Sequence, residues 1–267
     1  MIRYLRQVYQ AWIDYPLRAG HRLQGRYEIV RFLGEGSYGL AYLSTDRQTG
    51  ERVVVKQSKP SKRGLGRKLL RREQEALLAL THPSIPKCRG LFEDGKRLFL
   101  VTDWIDGATV EDLIFEQQRG FSELESLAFI ARLLPVVRFV HERGWVHLDL
   151  RIPNVMVRDG TYVLIDFGLA RRIGDTEGLE PFSSEEEERR RLPDVKSDWY
   201  AVGHFLLFLL YSGYEAQEGQ PPGEWHEELS LSMATGRLLR RLLRLDEAYE
   251  SDAALMQDVE AAIAALT

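Results

Sequence analysis

The sequence predicts a two-lobed α+β protein, with a small antiparallel β-sheet lobe first and a mainly helical lobe of reduced size after it. Three observations carry this. Between Tyr27 and Asp103 the chain is cut into short β-type runs by turn residues, with one helical pattern among them. Beyond Trp104 the apolar residues recur at helical spacing. A length of 267 residues is enough for two lobes with cores of their own. The expected division is a helical extension over 1–24, an N-terminal lobe over 25–103 and a C-terminal lobe over 104–267.

In the extension, Ile2, Leu5, Val8, Tyr9, Trp12 and Ile13 fall at helical spacing with arginines between them, and Pro16 ends the pattern. Two roles stay open for it: a helix packed on the domain, or a contact with a membrane surface or a partner through residues 1–15. The longest apolar run, Ala201 to Tyr211, is broken by Gly203 and His204 and falls short of the roughly 20 residues that span a bilayer. The first residues lack an apolar h-region and a small-residue cleavage site, so the expected location is cytoplasmic. A net charge of -4 argues against bulk attraction to nucleic acid, and no nucleic-acid partner is expected. The single cysteine, Cys88, excludes an intrachain disulfide and a cysteine zinc cluster.

From Tyr27 the pattern reads as a three-strand antiparallel meander, Tyr27 to Leu33, Leu40 to Thr45 and Arg52 to Lys56. Its first hairpin is Gly34-Glu35-Gly36-Ser37-Tyr38-Gly39, whose glycines let backbone N–H groups approach phosphates without Cβ interference. A dinucleotide fingerprint would continue into a helix. Here a second strand follows, which points to a flap over a nucleotide. A helix over Gly66 to Leu80 carries Glu73 and Glu75 and stops at Thr81-His82-Pro83. Two strands, 90–93 and 98–103, are joined by Asp94-Gly95. Asp103 to Gly107 marks the interlobe boundary.

Helices are then expected over Thr109 to Gln118 and Ser122 to Arg143. The second has a Ser122/Glu125 capping box and an interior Pro135 that should kink it. The loop His147 to Asn154 comes next, then a hairpin turning at Asp159-Gly160, then Asp166-Phe167-Gly168. Asp166 and the Asn154 amide offer the hard oxygen ligands that Mg²⁺ takes beside nucleotide phosphates. Asp149 stands where a carboxylate can accept the proton of an attacking hydroxyl. In Glu185 to Arg191, glutamate precedes arginine by four residues three times, the favourable order for helix ion pairs. A buried helix over Asp198 to Tyr211, helices over Leu229 to Leu245 and Asp252 to Leu266, and a Gly/Pro-rich loop over Gln217 to Gly223 complete the chain.

Taken together, the glycine loop, Lys56 at the end of VVVK, Glu73, the H-x-D-L-R-x-x-N loop and Asp166-Phe167-Gly168 resemble the eukaryotic-type (Hanks-type) protein kinase family. The order and spacing match from Tyr27 to the C-terminus, in the manner of a compact, divergent member similar to bacterial Ser/Thr kinases. The resemblance implies a protein-kinase-like fold and transfer of the ATP γ-phosphoryl group to Ser/Thr hydroxyls of protein substrates that the sequence does not name. It implies Gly34, Gly36 and Gly39 as the phosphate flap and Lys56 as the α/β-phosphate grip. Its partner is Glu73 rather than Glu75, nine residues before His82 of the H-P-x-I stretch. Asp149 is then the catalytic base, Arg151 the balance to γ-phosphate charge, and Asn154 and Asp166 the ligands of Mg²⁺, with Mn²⁺ able to substitute.

For the adenine, the resemblance implies a Thr102 gatekeeper, backbone hydrogen bonds from Asp103 and Ile105, Ala41 and Val54 on the upper face and Met156 on the floor. Ala41 and Val54 exchange sizes relative to the family pattern, a volume-conserving swap.

Four departures bear on regulation and acceptor. Leu148 replaces the arginine that grips a phosphorylated activation loop, so activity is expected without phosphate on Thr176, Ser183 or Ser184. The A-P-E element is missing, with acidic residues near Glu186 in its place, and its usual arginine partner is missing too, the corresponding stretch reading Asp246 to Glu250. Arg151 replaces the usual lysine. Asp198 matches the family's buried helix aspartate and should brace the catalytic loop. A small-molecule phosphotransferase and a non-catalytic nucleotide-binding module remain alternative readings of the same residues.

Overall fold

Along Arg52–Ser58, Val53 and Val55 are buried on one side while Val54 and Lys56 turn to the other, the period-two pattern of a strand between two covered faces. In the computed structural model, which describes residues 14–95, 97–215 and 223–267, this is the central strand β4 of a six-stranded antiparallel sheet. Its neighbours in chain order are β1 (Arg22–Leu23), β2 (Tyr27–Glu35), β3 (Gly39–Asp46), β5 (Cys88–Asp94) and β6 (Arg97–Asp103), arranged β1-β2-β3-β4-β6-β5. Helix α1, Arg63–Ala79, packs on β4, β5 and β6. The expected helix over 2–13 and all but the last residue of the 217–223 loop lie outside the described residues.

The chain divides into two units, one running to Asp106 and including Phe167–Leu169, the other formed by Gly107–Asp166 and Ala170–Thr267. In the first, register separates two faces. Ala41 stands opposite Lys56, Lys56 opposite Leu100, and Val54 opposite both Leu43 and Thr102. Directly opposed residues share a face, and this is the face of Leu98 and Leu100, which cluster with Leu70 of α1. The other face carries Leu23, Tyr27, Ile29, Leu40, Tyr42, Val53, Val55, Phe99 and Val101. Phe92 stacks on Tyr27 at 5.5 Å and on Phe99 at 5.3 Å. A ring on β5 reaches one on β2, although three strands separate them, because the sheet coils.

Residues 14–23 strap that second face. Leu17 packs on its apolar cluster and donates its N–H to the Tyr42 hydroxyl at 3.2 Å; the hydroxyl in turn donates to Gln57 Oε1 at 3.3 Å. Buried Asp14 accepts the Ser61 N–H at 3.0 Å, at the turn leading into α1.

The second unit is built on α2 (Glu123–Glu142), which starts at the expected capping box and runs through Pro135. A proline inside a helix removes one i→i−4 donor, and burial of Leu133, Leu134, Val136 and Val137 around it compensates. The other helices are α3 (Glu185–Arg191), α4 (Val195–Ser212), α5 (Trp225–Glu228), α6 (Met233–Leu242) and α7 (Asp252–Ala264). Helix α2 packs on α4 and α7, and α6 packs on the same two. Strands β7 (Ala108–Thr109), β9 (Val155–Arg158) and β10 (Thr161–Leu164) form a sheet in the order β10-β9-β7, and β8 (Trp145–Val146) pairs with β11 (Arg171–Arg172). The β9–β10 hairpin turns at Asp159 and Gly160, both with positive φ (48° and 71°), as a two-residue Asp-Gly turn requires.

Two expected helices differ. The helix expected from Thr109 to about Gln118 is shorter: Ala108–Thr109 is a strand on β9, and helical residues run from Val110 to Glu116, with π-type bonding over Asp112–Glu116. Thr109 and Asp112 exchange hydrogen bonds, Thr109 N–H to Asp112 Oδ2 at 2.9 Å and Asp112 N–H to Thr109 Oγ1 at 3.0 Å, so Thr109 caps the turn and does not enter it. Gly107 permits the pairing: a Cβ there would lie 2.5 Å from the Val157 carbonyl oxygen. The helix expected from Leu229 begins at Met233, because Ser232 is its N-cap and the Ser232 N–H is held by Glu123 of α2.

Candidate active site

The first unit supplies a lysine–carboxylate clamp. Lys56 Nζ donates to Glu73 Oε1 at 2.6 Å, and Glu73 is buried. Of the two helix glutamates, this is the one the sequence favours. The pair joins the face of the sheet that carries Ala41, Val54 and Thr102 to helix α1. In the glycine loop, Gly36 N–H reaches the Gly39 carbonyl at 2.9 Å, while a Cβ on Gly39 would lie 3.0 Å from the Gln57 carbonyl oxygen. The loop is tied down at two points that the sequence reading missed. Buried Lys59 pairs with Glu35 at 2.5 Å, and its N–H is held by the Tyr38 carbonyl at 3.0 Å. At Asp103 the backbone N–H is engaged by the Lys87 carbonyl at 3.1 Å, and the side chain pairs with Arg89. Ile105 and Thr102 are buried. The Phe167–Leu169 turn packs against α1, with Phe167 fully buried.

The second unit supplies the acid, amide and arginine. Asp149 Oδ1 accepts Arg151 Nε at 2.6 Å and Oδ2 accepts Arg151 Nη2 at 3.1 Å. This hydrogen bond holds the Arg151 guanidinium above its ordinary value against a smaller penalty from burial. Asn154 directs its amide hydrogens to the Asp149 carbonyl at 2.9 Å and to Asp149 Oδ2 at 2.8 Å. That leaves Oδ1 as the atom with lone pairs for a cation, the donor an Mg²⁺ ligand needs. Asp166 sits at φ 63°, a left-handed conformation that carboxylate residues tolerate better than most. Met156 is buried on β9, opposite Thr109 and Val163.

Asp198 braces this loop as expected. Its carboxylate accepts Leu148 N–H at 2.8 Å, His147 N–H at 2.8 Å and His141 Nε2 at 3.0 Å. Burial would raise the Asp198 carboxyl, but the hydrogen bond from His141 and the backbone N–H groups hold it below its ordinary value. Leu148 itself lies at φ 61°, a conformation costing a non-glycine residue about 1–2 kcal/mol. Asp198 therefore pins a strained residue directly before Asp149. His147 accepts Asp149 N–H at Nδ1 (3.2 Å), which fixes its tautomer and makes Nε2–H the donor to the Ile165 carbonyl at 3.1 Å.

Farther along, buried Arg171 donates to the Asp175 and Glu177 carbonyls at 3.1 and 3.0 Å. Helix α3 has the three expected ion pairs, Glu185 with Arg189, Glu186 with Arg190 and Glu187 with Arg191. In the Asp246 to Glu250 stretch, Glu250 pairs with Lys196 of α4 at 2.7 Å, while Glu186 pairs with Arg190 within α3.

His141 is the residue most open to discovery from sequence: it continues the buried Leu134, Val137 stripe of α2, where a histidine calls for a buried partner. Lys59 and Asp252 carry no such local sign.

The protein kinase domain family matches residues 27–248. Over 256 residues the chain is 36% identical to the probable serine/threonine-protein kinase YbdM of Bacillus subtilis, covering 95% of this chain and 96% of that protein. It is 30% identical over 211 residues to serine/threonine-protein kinase C of Synechocystis, covering 70% of this chain and 39% of that longer protein. Among solved structures, the PknI kinase domain of Mycobacterium tuberculosis aligns with a TM-score of 0.70 at 21% identity, over 92% of this chain and 98% of that one, a likeness of fold.

Proposed function

This chain belongs to the protein kinase family, and we propose that it is an ATP-dependent serine/threonine kinase in which Asp149 positions the acceptor hydroxyl and takes its proton. The observation that carries this reading is the loop around Asp149: a carboxylate gripped by Arg151 and Asn154, on a backbone pinned by Asp198. Asn154 and the Asp198-held backbone orient this carboxylate, and phosphoryl transfer depends chiefly on positioning and charge.

Lys56, oriented by Glu73, would hold the α/β-phosphates under the backbone of Gly34, Gly36 and Gly39. Arg151 would turn from Asp149 toward the γ-phosphate as the acceptor enters, exchanging one anion for another. Ala41, Val54 and Met156 would enclose the adenine ring, with Thr102 behind it and the Asp103 carbonyl and Ile105 N–H on its edge. Asn154 and Asp166 would hold Mg²⁺, or Mn²⁺ in its place, which offsets the charge of the phosphates when bound.

The acceptors are protein hydroxyls of undetermined sequence, and the use of ATP supports a cytoplasmic location. Among the described residues no helix is long and apolar enough to cross a membrane. The test is incubation of the protein with labelled ATP and a proteome extract beside Asp149→Asn. The substitution keeps the side-chain volume and removes the base, so labelling of proteins should fall about 10²- to 10⁴-fold while ATP-dependent thermal stabilisation persists. Labelling that continues unchanged in Asp149→Asn refutes the assignment. Labelling confined to metabolites places the activity among small-molecule phosphotransferases.

A further inference from the structure

His141 stands between two carboxylates. Its Nε2 faces Asp198 Oδ2 at 3.0 Å, and its Nδ1 faces Asp252 Oδ1 and Oδ2 at 3.3 and 3.4 Å. Ionised carboxylates only accept, so both contacts are hydrogen bonds when both ring nitrogens carry protons. Burial alone would lower the imidazole, but the bonds to Asp198 and Asp252 outweigh it and hold the ring up to about 9. Asp252 is fixed in turn by Trp199 Nε1–H, which donates to Oδ1 at 2.8 Å, and the Trp199 ring lies edge-on to His141. The remaining ionisable groups near the cluster are Arg138, which is paired with Glu142 and acts on Asp252, and His147, whose backbone N–H bonds Asp198.

These contacts form a continuous path. Asp252 opens the last helix, α7; His141 lies at the end of α2; Asp198 lies in the first turn of α4; and its two oxygens receive the N–H groups of His147 and Leu148. The next residue is Asp149.

On the reading that Asp149 is the catalytic base, we infer that Asp252 is a positioning residue for phosphoryl transfer, acting through His141 and Asp198 to fix the strained backbone before Asp149. The C-terminal helix is thereby part of the machinery that orients the base. Without Asp252 the imidazole loses its second acceptor and gives up a proton more readily. The neutral ring then no longer secures Asp198 by a charge-assisted bond, and Leu148 can relax from its left-handed conformation.

The experiment is the pH dependence of kcat for wild type, Asp252→Asn, Asp252→Glu and Asp258→Asn. Asp258 lies on the same helix but bonds Tyr249 and Arg241, away from His141, so its loss reports general loosening of α7. Wild type should hold its kcat to about pH 9. In Asp252→Asn the alkaline limb should move down by about one pH unit, lowering kcat about threefold at pH 8.5, with the KM for ATP changed less than about twofold. Asp252→Glu should restore most of the limb, and Asp258→Asn should leave it in place. Should Asp252→Asn fail to fold, Trp199→Phe, which frees Asp252 without removing it, should move the limb the same way by a smaller amount. An unmoved limb in Asp252→Asn, an equal shift in Asp258→Asn, or a change in KM in place of kcat overturns the inference. A wild type that transfers no phosphate at any pH overturns the kinase reading itself.

Discussion

Arg151 closes on Asp149 in a two-point grip, Nε to Oδ1 and Nη2 to Oδ2, while most of its own side chain stays in solvent. A planar guanidinium is suited to that geometry, and a lysine could match only one of the two contacts. The arginine that replaces the usual lysine is thus a partner of the base. Arg151→Ala should lower kcat about 10- to 100-fold, with the KM for ATP altered less than about threefold, because its charge is needed where phosphate charge moves. Steady-state kinetics at saturating acceptor read this directly. A variant whose KM alone rises would place Arg151 in ground-state nucleotide binding.

Glu73 and Glu75 make opposite predictions. Glu73→Gln removes the anion that orients Lys56 and should cut kcat/KM for ATP about 10- to 100-fold. Glu75→Gln alters a residue outside that clamp and should change it less than about twofold. Reversal of this order between the two variants would remove the assignment of Glu73.

Arg171 anchors the start of the segment after Asp166 through the main-chain carbonyls of Asp175 and Glu177. The triple substitution Thr176→Ala, Ser183→Ala, Ser184→Ala should therefore keep at least about half of wild-type kcat. It should loosen α3, since Ser184 caps that helix and Ser183 hydrogen-bonds Glu187 at 2.6 Å, a loss of about 1 kcal/mol in local stability. Phosphatase-treated wild type gives the complementary measurement. A strict need for phosphate in either experiment rules out the prediction.

Thr102 is small and sits in register with Val54 on the face that carries Lys56. ATP-competitive compounds bearing a bulky substituent should bind within about tenfold of their unsubstituted parents. Thr102→Met should weaken the bulky compounds about 100-fold and leave the KM for ATP within about threefold, because the added volume clashes with the substituent alone. Isothermal calorimetry on the two proteins compares them. Equal loss for parent and bulky compound would mean that Thr102 does not line that space.

Much of the fold was legible because its signals are local. The Asp-Gly turn, the Ser122 capping box and the four-residue ion-pair spacing of Glu185 to Arg191 each involve residues within a few positions of one another, and each forms as the sequence implies. Thr109 was misjudged because a threonine followed three residues later by an aspartate reads as helix interior or as cap, and strand pairing of Ala108 with Val157 decides it. Lys56 and Glu73 are 17 residues apart and could be matched only through the family pattern. His141 and Asp252, 111 residues apart, share no pattern at all, and the packing of α7 on α2 alone brings them together.

The strap at 14–23 redraws where this protein can be cut. The match to the protein kinase domain family starts at Tyr27, yet a gene trimmed there would strip the Tyr42 hydroxyl of one partner and leave the Ser61 N–H without its carboxylate. It would also uncover the apolar surface now under Leu17 and Leu23. For expression or domain fusion, the stretch from Asp14 to Leu23 belongs with the domain, and a tag is better joined ahead of it than in its place.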